Sequence, residues 1–115
     1  MAVTAYAAGT QSATVGTEHT LAAPNVASSF TLHVDTAAMT WGDILELRIY
    51  QMVLTAGQAR VAYYARFEGA QPTDDVIKIS VPISNELTDV DALRFTLKQT
   101  KGVTHDYPWK VLQYT

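Results

Sequence analysis

Between Asp43 and Glu68 the sequence alternates with a period of two, which suits extended backbone and no helix. Leu45, Leu47 and Ile49 are interleaved with Glu46, Arg48 and Tyr50, so a strand here sets apolar side chains on one face and polar ones on the other. At Thr55-Ala56-Gly57-Gln58 a tight reversal is expected, with Gly57 supplying the positive φ. Beyond it, Val61, Tyr63, Ala65 and Phe67 share one face, and Arg60, Ala62, Tyr64 and Arg66 the other. The segment predicts a hairpin with a core side and an outer side. On the outer side Glu46 and Arg48 are expected to lie across from Tyr64 and Arg66.

The same period recurs along the chain. Phe30, Leu32 and Val34 alternate with Thr31, His33 and Asp35, and Leu93, Phe95 and Leu97 with Arg94, Thr96 and Lys98. Trp109 and Val111 belong to a terminal strand. Val76 to Val81 predicts a short strand with Ile77, Ile79 and Val81 inward and Lys78 and Ser80 outward, halted by Pro82. Gly69 to Asp75 reads as a turn, Ser84 to Asp91 as a polar connection, and Lys101-Gly102 as the start of a reversal. Residues 1–23, rich in Ala, Thr, Ser and Gly, admit two readings. They form weak strands around Val3 to Ala7 and Ala13 to Leu21, or an extended amino-terminal arm that orders only against a neighbouring subunit. No stretch sustains a helical period. The pattern therefore predicts an all-β fold, an antiparallel β-sandwich or jelly-roll of about seven or eight strands.

With 115 residues the chain is long enough for one domain, 1–115, and short for two. Hydrophobic residues make up 48% and charged residues only 17%, so the chain is globular and is expected to hide part of its surface against partners. The net charge is -3 and the eight Lys and Arg residues are scattered singly, which disfavours nucleic acid as a partner. Cysteine is absent, so stability is expected from packing or assembly. Met1 to Tyr6 has neither a basic start nor an apolar run, and no stretch approaches the roughly 18 apolar residues of a membrane span. A soluble chain made without an export signal is the expectation.

Catalytic chemistry finds little to build on. His19, His33 and His105 lie too far apart to pair on one local element, and Asp74-Asp75 and Asp89 with Asp91 sit beside turns, where Asp bonds its own backbone. No serine stands in a nucleophile elbow, and the glycines assemble no phosphate loop. No catalytic, cofactor or metal site is expected, and the chain is not expected to be an enzyme. The aromatic residues offer more. Tyr50, Tyr64, Tyr107 and Tyr114 are placed on faces opposite Ile49, Tyr63, Trp109 and Val111, where they can form a protein interface, pack within the chain or stack on sugar rings. Trp41 is expected to close one end of the core, with ligand stacking as its alternative. Together with Arg48 and Arg66, these five aromatics make up the candidate interface.

Leu45-Glu46-Leu47-Arg48-Ile49-Tyr50, Ala62-Tyr63-Tyr64-Ala65, Phe95 to Gly102 and Pro108-Trp109-Lys110-Val111-Leu112, in that order, resemble segments of small virion structural proteins of tailed bacteriophages. The resemblance spans Phe30 to the carboxyl end. It implies a β-rich capsid cement or decoration protein, made in the host cytoplasm and located in the virion. Such a protein binds across major capsid subunits as a homo-oligomer, by preference a trimer. A carbohydrate-binding module, or a tail or head–tail adaptor module of the virion, is the alternative.

Overall fold

The computed structural model describes residues 2–115. The strands are β1 (Val3–Ser12), β2 (Glu18–Ala22), β3 (Ser28–Asp35), β4 (Ile44–Met52), β5 (Ala59–Glu68), β6 (Ile77–Ile79), β7 (Ile83–Asn85), β8 (Leu93–Lys101) and β9 (Asp106–Tyr114). Every pairing is antiparallel. The first sheet runs β1-β9-β3-β6, with β7 also beside β3, and the second runs β2-β8-β4-β5. Only the β4–β5 hairpin and the β6–β7 break keep successive strands in one sheet. Elsewhere the chain crosses from sheet to sheet, and this strand order is that of a jelly-roll sandwich. β6 and β7 are two halves of one edge strand: β6 pairs with His33 to Asp35, β7 with Ser28 to Phe30, and Pro82 lies between them.

The expected alternation fills the interior. Leu47 lies between Leu97 and Ala65, Ile49 between Phe95 and Tyr63, and Leu32 beside Val111. Phe30 of the first sheet meets Phe95 of the second edge to face, with ring centroids 6.3 Å apart. The amino-terminal segment is part of this body rather than an arm: β1 pairs along β9, and β2 along β8.

Four expectations are corrected. β6 is turned over, with Lys78 and Ser80 buried while Ile77, Ile79 and Val81 face outward. Val34, whose side chain is in the core, pairs with Lys78, and side chains of paired residues share a face. Ser80 secures that register by accepting the Leu32 N–H at its hydroxyl, 2.9 Å away. Lys78 is neutralised by Asp75 at 3.2 Å and lies over the Phe67 ring. In β5, an extra residue at Ala62 shifts the register between Ile49 and Tyr50, so Val61 turns outward beside Tyr50 instead of following Tyr63 inward. In the β4–β5 turn it is Ala56, not Gly57, that has the positive φ, 58°. Gly57 is needed for space, since a Cβ there would come 2.8 Å from the Leu54 carbonyl oxygen. Trp41 closes nothing: it is 94% exposed, on the loop before β4.

At that same end Asp43, buried, ties three connections together. Its Oδ2 accepts from Thr40 N (2.8 Å) and Thr40 Oγ1 (3.1 Å) and lies 2.8 Å from His105 Nε2. Its Oδ1 accepts from Val103 N at 3.0 Å, and its carbonyl from Gly69 N at 2.8 Å. Burial pulls the Asp43 carboxyl upward, but the hydrogen bonds from Thr40 and Val103 and the field of His105 outweigh it, and its pKa lies below the ordinary value. Gly102 (φ +101°) allows this packing, because a Cβ there would fall 2.8 Å from the Asp43 Cα and onto its carboxylate.

Gly102→Ala and Gly69→Ala therefore separate two effects. Gly69 (φ +75°) has open space around it and should lose about 1 kcal/mol from the left-handed backbone alone. Gly102→Ala must also displace Asp43, and should lose at least about twice that in urea unfolding. Equal losses would contradict the Asp43 account.

Candidate functional site

The outer face of the second sheet is a grid. Across its four strands one row reads Glu18, Lys98, Glu46, Arg66, a line of alternating charge. The next row reads Thr20, Thr96, Arg48, Tyr64, and the third brings Arg94 beside Tyr50 and Val61. These residues come from four separate segments of the chain, and antiparallel pairing places them side by side. Arg48, Arg66, Arg94 and Lys98 are half of the chain's eight basic residues. Scattered in sequence, they are collected by the fold onto a face with three carboxylates, Glu18, Glu46 and Glu68, the last paired with Arg66 at 3.1 Å, so a face with a slight basic excess sits on a chain of net charge -3.

The side chains of the grid hold one another. Tyr50 donates to Glu18 Oε2 at 2.6 Å, and Thr96 donates to the same oxygen at 2.7 Å. Tyr64 donates to Glu46 Oε2 at 2.8 Å, while Arg48 Nη2 pairs with Glu46 Oε1 at 2.9 Å. The Arg94 guanidinium lies 4.3 Å from the Tyr50 ring centre and that of Arg48 5.0 Å from the Tyr64 ring centre. For Glu18, burial raises the pKa, but the Tyr50 and Thr96 hydroxyls with Arg48 and Arg94 bring it below the ordinary value. For Glu46, burial is outweighed in the same way by Tyr64, Arg48 and Lys98. The two phenols respond in the opposite direction, each raised first by its hydrogen bond to a carboxylate. The result is a surface whose carboxylates, guanidinium planes and tyrosine rings satisfy one another within the chain.

Tyr50, Arg48, Tyr64 and Arg66 thus come together on this face, and three other candidates lie elsewhere. Tyr107 is buried, a correction: it has the same parity as Trp109 and Val111 and points inward with them. Its hydroxyl donates to the buried Gln99 Oε1 at 3.1 Å, and burial, then the Asp43 charge, push its pKa up to about 12. Tyr114 belongs to the first sheet, its hydroxyl 2.8 Å from Thr31 Oγ1, which in turn meets His33 Nε2 at 2.9 Å. Trp41 stands at one end of the sandwich, two residues before the Asp43 anchor. Glu18, Arg94, Thr96 and Lys98 escaped sequence reasoning, although the outward parity of Arg94, Thr96 and Lys98 in β8 was the available signal.

Of the remaining polar candidates, Asp75 pairs with Lys78, His105 with Asp43 and His33 with Thr31, whereas the buried His19 Nε2 has no hydrogen-bond partner among the described residues. Asp89 accepts from Thr55 Oγ1 at 2.8 Å and from Ala56 N at 2.9 Å, so it fastens the β4–β5 turn as well as bonding its own backbone. The histidines stand apart, and among the described residues no group of three or more His, Asp or Glu is placed to hold a metal ion. No family model, curated protein or solved structure matches the chain.

Glu18, Glu46 and Asp43 all ionise more readily in the folded chain than their ordinary values of 4.5, 4.5 and 3.8. As pH falls the unfolded chain takes up protons first. The stability these groups supply is therefore full above about pH 5 and is lost as pH drops through their folded values. Urea midpoints should fall steadily between about pH 5 and pH 3, and Asp43→Asn should be less stable at pH 7 with a shallower fall. A midpoint that holds level on acidification would contradict this.

Proposed function

We propose that the chain is a structural protein of a bacteriophage particle. It acts as a cement or decoration protein that lays the outer face of its second sheet across joints between major capsid subunits and stabilises the head. The observation that carries the binding mode is the internally bonded, slightly basic, tyrosine-bearing grid. Arg and Tyr are the residue types that interfaces favour, and here their rotamers are already fixed, so little entropy remains to be lost on docking. The resemblance of the Phe30-to-carboxyl-end motifs to phage virion proteins supplies the setting. The jelly-roll is a frequent architecture among capsid proteins; it also serves lectins, and so supports the setting without fixing it.

The partner surface is expected to carry the complementary pattern with a slight acidic excess, because four cations face three carboxylates on the grid. A protein that binds only the assembled shell shifts the equilibrium towards it, with no chemical step. Repeated copies multiply a modest contact over the symmetric shell.

Mass spectrometry of purified particles should find the chain, and adding the pure protein to shells that lack it should raise the temperature at which they release DNA. Arg48→Glu and Tyr64→Ala should each weaken shell binding about tenfold or more, a cost of about 1.4 kcal/mol. Absence from particles would overturn the proposal. Retention on polysaccharide that Trp41→Ala abolishes, with no shell binding, would favour a carbohydrate-binding module instead.

A further inference from the structure

Three of the four strands at the margins of the sheets carry charges or a proline that stop sheets adding to one another. β6 is three residues long, turns Lys78 inward and is followed by Pro82. β5 carries Arg60, Arg66 and Glu68. β2 has only five residues and begins at Glu18. β1 has neither; its one interruption is the bulge between Ala5 and Ala7, which leaves Ala7 to Ser12 in regular register. Its ten residues hold no charge and no proline, and most are Ala, Gly, Thr or Ser, which let another backbone approach. Its one strand neighbour among the described residues is β9.

The hydrogen bonding shows which groups are open. Ala13 N donates to the His105 carbonyl, and Ala2 and Thr115 exchange both backbone bonds. Carried along the antiparallel register, with its irregularity between Ala5 and Ala7, this alternation turns the N–H and C=O of Val3, Ala5, Ala8 and Thr10 away from β9.

We propose that β1 pairs antiparallel with β1 of a second copy, joining two first sheets into one continuous sheet across a twofold axis. A second copy is the occupant because an uncharged strand meets no like charge in itself, and because this margin, the one without charge or proline, offers a regular run from Ala7 to Ser12 on both partners. The contact is isologous and closes at two copies, unlike the trimer that the phage resemblance implies. It leaves the outer face of the second sheet free, so it stands or falls separately from the capsid reading.

Sedimentation of the full chain at up to about 100 µM should give twice the mass of one chain. Ala8→Lys with Thr10→Lys, both exposed positions, should weaken the dimer at least about tenfold while leaving the denaturation midpoint of the monomer unchanged. In the unmodified chain, the amides of Ala8 and Thr10 should exchange more slowly at high concentration than at low, a readout that does not depend on the variant folding. A monomeric mass, a trimeric mass, a dimer indifferent to the lysines, or amide exchange independent of concentration would each overturn the proposal.

Discussion

The register of β4 between β5 and β8 is the constraint on which the molecule depends. Leu47 beside Leu97 and Ile49 beside Phe95 fix which parity points inward, and everything on the opposite parity is thereby assigned to the surface. A slip of one residue would carry Glu46 and Arg48 into the core and expose Leu45, Leu47 and Ile49. Burying two unsatisfied charges costs several kcal/mol each, far more than one strand's pairing supplies, so the register is held firmly. The grid on the outer face is a consequence of that interior.

How much of this was legible in the sequence follows from the same logic. Strands β3, β4 and β8 are central in their sheets, buried along one side, and their alternation could be read from side chains alone. Edge strands were harder. β6 is short and its facing is set by a partner, Val34, and by the Ser80 hydroxyl, so Ile77, Ile79 and Val81 mark its outer side and not its inner one. The Ala62 bulge, which sends Val61 outward, leaves no trace in composition. Trp41 departs from expectation for a different reason. Hydrophobicity says that a lone Trp prefers burial, yet a loop pinned by a buried Asp43 at its base can hold one in water.

The candidate site was half legible. Glu46 opposite Arg66 and Arg48 opposite Tyr64 followed from one hairpin, because its two arms are neighbours in sequence. Glu18 and Lys98 complete the charged row only through topology, since β2 and β8 are far apart along the chain and meet because the strand order nests them. The scattering of basic residues in sequence was thus a poor guide to their distribution in space. Four of them share one face, each near a carboxylate or a tyrosine ring, and what looked diffuse is a patterned surface.

Rigid order on that surface links structure to the proposed role. A face whose hydroxyls, carboxylates and guanidinium groups already satisfy one another presents a fixed pattern of charge, and a partner with the complementary pattern can dock without rearranging it. The most direct measurement is a density map of the intact particle at a resolution that traces strands. The account predicts β2, β8, β4 and β5 lying against joints between shell subunits, with Arg48 and Tyr64 at the contact. A particle in which that face points into solvent, or one without this chain, would contradict it.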